Sequence, residues 1–272
     1  MQGGWDSTIA RFAFAAGRKL ATVVPMRHFP MPALILFFLS LAPIVRAQDN
    51  TMKPAAPAPA LHFVKAAVLD VAQILPAPPA PGSLAAQADV ETVLQVQAAR
   101  TPEQIAWAQI VDQNDLFAAF GAGGLLGSHF KAENFPRLIA LQKDIADDLR
   151  PLVDASKKLY ARPRPYAVDP RVKPSVALPT NDSYPSGHAY GAYMRAAVLA
   201  EIFPEKRSEL FDRARYFAWG RIIGGVHFPT DLEAGRRLAA AGFAELMKSA
   251  ALRAALERCR AEAAAAGLKK AG

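Results

Sequence analysis

The sequence predicts an all-α protein, a single-domain helical bundle. Three observations support this. From Ser83 onward, apolar residues recur mostly with the spacing of helix faces, and few stretches alternate with period two. Helix-start signals precede several of these stretches. The chain is 52% hydrophobic and 21% charged, the balance of an ordinary globular protein. No repeat at solenoid spacing occurs, so a bundle of about six to eight helices is expected.

Residues 1–47 are expected to be a signal peptide. An uncharged apolar run at 32–45 is short for a membrane-spanning helix. The sequence Val-Arg-Ala at 45–47 places small residues where a signal peptidase inspects the chain. A retained N-terminal anchor is the alternative. Cleavage predicts a secreted, periplasmic protein with no stable membrane insertion.

Composition excludes some classes of function. Removing residues 1–47, with five basic residues and one acidic residue, lowers the net charge from +8 to +4. The remaining basic residues are scattered among acidic ones, so no nucleic-acid partner is expected. Cys259 is the single cysteine, which excludes an intramolecular disulfide and a multi-cysteine zinc site. Asp112, Asn114 and Asp115 are interpreted as a solvated helix face, and neither a metal site nor a cofactor is expected.

The chain divides at its proline-rich stretches. Residues 48–82 are expected to be a Pro/Ala-rich arm lying across the body, 83–266 the helical domain and 267–272 a C-terminal tail. Ser83 is predicted to cap the first long helix, and Thr101 with Gln104 to open the next through a capping box. Further helices are predicted at about 135–160, kinked at Pro151, and near 187–203, 205–219, 230–248 and 249–266.

Two segments carry groups suited to binding phosphate. Lys157 is predicted in the last helical turn, and the prolines at 163 and 165 extend the chain so that Lys157 and Arg164 converge on one anion. Charges that favour a helix end are the simpler explanation for this pair alone. In the second segment, Ser186 caps a helix whose free amides can bind phosphate, with Gly187 and His188 in its first turn. An ordinary cap beside an exposed histidine is the alternative.

The third segment is Gly-Arg-Ile-Ile-Gly-Gly-Val-His-Phe-Pro-Thr-Asp at 220–231. One helix is predicted to end near Gly220 and another to begin at Thr230, capped through Glu233. Asp231 at that helix start can reach His227 and select its tautomer. A buried structural His–Asp pair is the alternative.

Together the three segments resemble the signature of the type 2 phosphatidic acid phosphatase superfamily: Lys-x6-Arg-Pro, then Pro-Ser-Gly-His, then Ser-Arg-x5-His-x3-Asp. Nineteen residues separate Pro165 from Pro185, and 31 separate His188 from Gly220, both compatible with that family. The leader, arm and helical body are similar to the bacterial class A nonspecific acid phosphatases. One position departs, since Gly220 stands where the family usually has serine, and altered affinity is expected there.

The resemblance implies roles for the matching residues. His227 is the nucleophile that forms a phosphohistidine, Asp231 orients it, and His188 protonates the leaving alcohol. The implied phosphate ligands are Lys157, Arg164, Ser186, Gly187 and Arg221. The implied enzyme is a metal-independent acid phosphatase that hydrolyses small phosphomonoesters, with its leaving group selected by loops at 121–134 and 166–184. It can form homo-oligomers.

Two other functions stay open. The superfamily also contains vanadium haloperoxidases, in which vanadate occupies the phosphate pocket, and bromination of monochlorodimedone would identify that activity. A noncatalytic phosphate-binding module is the second alternative, suggested by Gly220. A membrane-embedded lipid phosphatase is disfavoured because the mature sequence offers no run of about 20 apolar residues.

Overall fold

The computed structural model describes residues 61–268. The predicted signal peptide, the first part of the arm at 48–60 and the last four residues lie outside this range. Residues 61–268 contain α-helices, short 3₁₀ turns and connecting segments, without a β-strand. The all-α prediction is therefore confirmed.

Ten α-helices follow one another in the described residues. Their bounds are α1 Val71–Ile74, α2 Leu84–Ala99, α3 Pro102–Gln113, α4 Leu116–Gly121, α5 Pro136–Tyr160, α6 Pro165–Val168, α7 Gly187–Ile202, α8 Arg207–Ile223, α9 Pro229–Leu246 and α10 Ala250–Leu268. The 3₁₀ turns are Ala66–Val68, Ala122–Gly124, Ala132–Asn134 and Pro204–Lys206.

The predicted helix starts at Ser83 and Thr101 are both present. The Ser83 hydroxyl accepts a hydrogen bond from the Ala86 amide, and Thr101 forms the reciprocal capping box with Gln104. Helix α5 continues through Pro151 and ends at Ala161. Ala161 adopts φ 42° and ψ 39°, a left-handed helix end rather than the extended form predicted for it.

Two predicted helix boundaries near the third segment were wrong. Helix α8 runs to Ile223, so Gly220 lies inside it rather than at its end. Helix α9 begins at Pro229, and the Phe228 amide donates to Asp231 Oδ2 at 2.9 Å, so Asp231 rather than Glu233 caps this start. Glu233 instead pairs with arginines of the next turn.

Helix α7 lies at the centre of the bundle. It packs against α8, α9 and α10, and its small and apolar residues are buried on most sides. Gly235 of α9 permits close packing near the start of α7, because a Cβ there would lie 2.5 Å from the Ser186 carbonyl oxygen. The starts of α7 and α9 are thereby held together inside the protein.

The described part of the arm is hydrogen-bonded to α5. Both carboxylate oxygens of Asp148 accept backbone amides of the segment 62–64 at 2.6 to 3.0 Å. The Tyr160 hydroxyl donates to the Leu75 carbonyl at 2.8 Å, and the Tyr184 hydroxyl to the Pro76 carbonyl at 2.6 Å. Among residues 61–268, no helix combines the length and apolar character needed to cross a bilayer.

Candidate active site

A cavity of about 550 Å³ opens between α5, α7 and the segment before α7. The residues predicted to bind or transfer phosphate that line it are Lys157, Arg164, Gly187, His188, Arg221 and His227. The other two, Ser186 and Asp231, are buried behind these residues. The fold thus brings three distant segments of the sequence to one cavity.

His227 is oriented by Asp231. The imidazole is 1% exposed, and its Nδ1 lies 3.1 Å from Asp231 Oδ2. Since the carboxylate accepts, Nδ1 carries the proton, and the lone pair of Nε2 faces the Arg164 guanidinium at 3.1 Å. Burial lowers the pKa of His227 well below its ordinary value, although Asp231 opposes this shift. The site therefore holds a neutral imidazole whose nucleophilic Nε2 lone pair lies against Arg164.

Asp231 is held from several sides. Its Oδ2 accepts the Ser183 hydroxyl at 2.6 Å, and its Oδ1 accepts Arg162 at 2.7 Å. Burial acts to raise the pKa of Asp231, but the hydrogen bond and charge of His227 and the charge of Arg162 outweigh it and lower that pKa. Asp231 is therefore ionised and fixed.

The support behind Asp231 comes from residues that no sequence motif marks. Arg162 bridges Asp231 and Asp89, with 2.7 Å to each carboxylate, and its guanidinium lies 4.1 Å from the centre of the Phe228 ring. The Thr230 hydroxyl also bonds both Arg162 and Asp89. Asp89 lies on α2, far from the three segments in sequence, and no motif marks it.

Lys157 and Arg164 line one wall and are held by backbone carbonyls. Lys157 Nζ donates to the Asp182 carbonyl. Arg164 donates to the carbonyls of Asn181 and Val226, at 2.7 Å in both cases. Burial, together with Arg164, lowers the pKa of Lys157 to about 8, and burial lowers that of Arg164 to about 10. Both cations are positioned before any ligand binds, as their predicted role requires.

Arg221 also lines the cavity and pairs with Asp112. Its terminal nitrogen lies 2.6 Å from Asp112 Oδ1, while its buried Nε has no hydrogen-bond partner in the described chain. Asp112 is on α3 and was interpreted as part of a solvated helix face. That interpretation was wrong, because the packing of α3 on α8 turns Asp112 inward to Arg221.

His188 lies in the first turn of α7 and stacks beside Phe217, with 6.5 Å between ring centres. Burial and the neighbouring charge of Arg221 lower the pKa of His188 to about 3, against a smaller opposing effect of Asp112. Its buried Nε2 has no hydrogen-bond partner within residues 61–268. This buried nitrogen belongs to a side chain that lines the cavity.

Comparison with known proteins relates part of the chain to a family of known proteins. Residues 145–253 match the model of the PAP2 superfamily. The chain carries a PAP2 superfamily domain. The match spans α7, α8 and α9 and most of α5. It contains the eight residues predicted for the site and excludes Asp89 and Asp112.

Two curated relatives are non-specific acid phosphatases. The chain is 39% identical to one from Salmonella typhimurium over 113 residues, which are 40% of this chain and 45% of that protein. It is 28% identical to one from Providencia stuartii over 234 residues, which are 81% of this chain and 90% of that protein. The chain thus spans less than half of the Salmonella protein in the first alignment.

Solved structures with similar folds include a phosphatase and a peroxidase. A transmembrane PAP2-type phosphatidylglycerolphosphate phosphatase from Bacillus subtilis aligns with a TM-score of 0.44 and 22% identity, covering 61% of this chain and 87% of that one. A bacterial vanadium-dependent iodoperoxidase aligns with a TM-score of 0.48 and 18% identity, covering 66% of this chain and 53% of that one.

Ser186 and Gly187 of the PAP2 domain occupy different places. The Ser186 hydroxyl accepts the Ala189 amide at 3.2 Å and is buried, while Gly187 lines the cavity. The N-cap predicted at Ser186 is therefore present. The amides at the start of α7 are the nearer group to a ligand.

Gly220 of the PAP2 domain faces α3 rather than the cavity. A Cβ at this position would lie 2.7 Å from Val111 Cγ2, too close unless the Val111 side chain or one of the two helices shifts. The absence of serine here is therefore coupled to close packing of α3 against α8. That packing also brings Asp112 to Arg221.

Other predicted features differ in where they lie relative to the cavity, which Asn114 lines and Asp115 does not. Asn114 ends α3 in a left-handed conformation and Asp115 caps α4, and the described residues contain no cluster of metal-ligating side chains. Of the two loops expected to select the leaving group, 121–134 contributes no lining residue. The loop 166–184 contributes Pro179 and Asn181, and the remaining wall comes mainly from α5 and α7.

Proposed function

We propose that this protein is a phosphomonoester hydrolase, an acid phosphatase that works through a phosphohistidine. The observation that carries the proposal is the neutral, oriented Nε2 of His227, which faces a cavity lined by Lys157, Arg164 and Arg221. Phosphoryl transfer depends mainly on positioning and on electrostatic stabilisation, and both are built into this arrangement.

The first step transfers the phosphoryl group to the protein. Nε2 of His227 attacks phosphorus in line, the P–N bond forms, and the bond between phosphorus and the ester oxygen breaks. Asp231 accepts the hydrogen bond from Nδ1 and so stabilises the charge that the ring gains. The guanidinium of Arg164, which bonds Nε2 in the unliganded site, shifts its contact to a phosphate oxygen.

His188 supplies the proton for the leaving oxygen. It is neutral in the unliganded site, and the negative charge of a bound phosphate ester raises its pKa because an adjacent anion favours the charged imidazolium. The protonated ring then donates to the departing alcohol. In the second step the neutral ring takes a proton from water, whose oxygen bonds phosphorus as the P–N bond breaks.

The proposed enzyme also has a defined substrate class, metal requirement and location. The substrates are small phosphomonoesters, the reaction needs no metal, and the mature protein is periplasmic after loss of residues 1–47. The unpartnered Nε of Arg221 and Nε2 of His188 support an anionic ligand, since buried polar atoms are ordinarily satisfied.

The test is turnover of p-nitrophenyl phosphate by the full chain, with and without EDTA. His227→Ala is expected to abolish turnover, and EDTA to leave the wild-type rate unchanged. His129→Ala is the matched control, because this histidine lies outside the cavity. Turnover by His227→Ala would overturn the nucleophile assignment, and loss of activity in EDTA would overturn metal independence.

A further inference from the structure

The cavity extends well beyond the phosphate-binding residues. Its volume of about 550 Å³ lies within the range of sites that enclose whole small molecules, and a single phosphate group fills only part of it. The wall away from His227 is formed by one face of α5 and one face of α7. The residues on these two faces that line it are Gln142, Lys143, Ile145, Ala146, Arg150, Val153, Asp154, Tyr190, Gly191, Met194 and Arg195.

Two arginines of this wall lie at matched positions. Arg150 precedes Lys157 by seven residues on α5, and Arg195 follows His188 by seven residues on α7. Seven residues are two helical turns, or about 10 Å along a helix axis. Because α5 ends and α7 begins at the phosphate-binding residues, both arginines lie about 10 Å from that end of the cavity along their own helices.

Neither arginine forms an ion pair with a carboxylate in the described chain; burial lowers the pKa of Arg195, and the charge of Asp115 opposes that shift. Arg150 is exposed at the cavity and has no ion pair there. Arg195 bonds only the side-chain and backbone oxygens of Asn114, at 2.9 and 3.0 Å, and each of its terminal nitrogens keeps a second N–H. Lys143, farther along α5, is already paired with Asp147 at 2.5 Å.

The charge of the cavity exceeds what one phosphate requires. The six lining cations are Lys143, Arg150, Lys157, Arg164, Arg195 and Arg221, whereas Asp154 is the acidic residue on the lining. Even with Lys143 paired to Asp147 and Arg221 to Asp112, two arginines remain at the far end. An anion placed between them would be held by charge-assisted hydrogen bonds.

We infer that this site prefers phosphomonoesters that carry a second anionic group, a carboxylate or phosphate, at the far end of the molecule, with Arg150 and Arg195 binding that second group. The inference rests on the proposed function and adds a substrate class to it. Arg150 and Arg195 are specificity-determining residues here and take no part in the bond-making steps.

The experiment compares three esters with six-carbon chains. In 6-phosphogluconate a carboxylate replaces the terminal hydroxymethyl group of sorbitol 6-phosphate, and fructose 1,6-bisphosphate carries a second phosphate. We expect kcat/KM for 6-phosphogluconate to exceed that for sorbitol 6-phosphate about tenfold, the ratio that corresponds to one good charged contact. A matching preference for the bisphosphate would show that either anion is accepted.

The variants Arg150→Gln and Arg195→Gln are each expected to lower the preference to within about twofold, while turnover of sorbitol 6-phosphate stays near the wild-type value. Arg195→Lys, which keeps the charge, should retain most of the preference for 6-phosphogluconate over sorbitol 6-phosphate. Arg137→Gln removes the same charge from α5 outside the cavity and serves as the control. Equal losses for all esters, or no loss for any, would overturn the inference.

A binding measurement separates this inference from the proposed function. Calorimetry on His227→Ala measures the affinities for the same esters without turnover. Tighter binding of 6-phosphogluconate that depends on Arg150, in a wild-type protein that hydrolyses no ester, would refute the phosphatase proposal and keep the second anion site. Hydrolysis of all three esters at equal kcat/KM would keep the phosphatase proposal and refute the second anion site.

Discussion

The two histidines of the site have opposite surroundings. Both ring nitrogens of His227 have partners, Asp231 on one side and Arg164 on the other, and a network through Arg162 reaches Asp89 on α2. His188 lies beside Phe217 and Arg221 with its Nε2 unpartnered in the described chain. The first histidine is held in one tautomer and orientation, whereas the second is poised to change its protonation when an anion arrives.

This difference matches the two parts of the proposed reaction. A nucleophile benefits from a fixed lone pair, since misplacement of the attacking atom costs rate. A general acid and base has to gain and lose a proton within one turnover, so a group whose charge depends on the bound ligand is suitable. Substitutions that alter only one of the two histidines or its surroundings can therefore separate the two roles.

The largest effect is expected from replacing each histidine in turn. His227→Ala should lower kcat for p-nitrophenyl phosphate by about 10⁴-fold or more, because the nucleophile is lost. His188→Ala should lower turnover of an alkyl phosphate by about 10²- to 10⁴-fold. With p-nitrophenyl phosphate, whose leaving group departs unprotonated, His188→Ala should release a rapid burst before a slow second step. Stopped-flow absorbance measures it, and a burst from His227→Ala instead would reverse the assignments.

The second effect concerns the network behind His227. Arg162→Met leaves Asp231 and Asp89 buried without their shared cation, and the free energy of unfolding should fall by about 3–5 kcal/mol. Arg237→Met, which breaks a surface pair with Glu233, should cost less than about 1 kcal/mol. Urea unfolding of both variants measures the difference. Equal stability of the two variants would show that the network does not support the site.

The third effect concerns the helix contact beside Arg221. Gly220→Ser places a side chain against Val111 and should lower the free energy of unfolding by about 1–3 kcal/mol. Adding Val111→Ala should recover most of that loss by making room. Thermal unfolding of the single and double variants measures this. A Gly220→Ser variant as stable as the wild type would show that the helices separate without cost.

The smallest effect is the pH dependence that His188 contributes. Its folded-state pKa of about 3 lies below the ordinary value of 6.5, so the unfolded chain binds more protons between these values. Stability therefore falls as the pH is lowered through this window, by about 1–2 kcal/mol between pH 7 and pH 5 from this group. The slope should be shallower in His188→Gln and in the wild type saturated with inorganic phosphate. Unfolding midpoints measured across this range check it, and identical slopes would exclude His188 as the source.

Much of the fold was predictable because its signals are local. The caps at Ser83 and Thr101 and the cap of α7 at Ser186 depend on residues within three positions of each other. The end of α8 was misplaced because Gly220 has the local character of a helix terminator. Its actual role depends on Val111, which is distant in sequence.

The site residues likewise include some that the local sequence marks and others that only their contacts reveal. The residues predicted to bind or transfer phosphate lie in three short segments with characteristic spacing, so they were found together. Arg162 lies within the first segment but has no motif position, and Ser183 lies just before the second. Their role became visible only through the bonds they make to Asp231. Asp112 was misjudged because helical spacing alone does not show which face another helix covers.

The sequence by itself determined the helical class, the main caps and the residues proposed to transfer phosphate, since these depend on short-range patterns. Only the tertiary structure decided how the two histidines differ. Burial and charge at His188 come from Phe217 and Arg221 on α8 and Asp112 on α3, and the support behind the Asp231–His227 pair reaches Asp89 on α2. No local pattern connects these side chains to the histidines. The free energy of a charge depends on everything packed around it, and that is settled only when the helices meet.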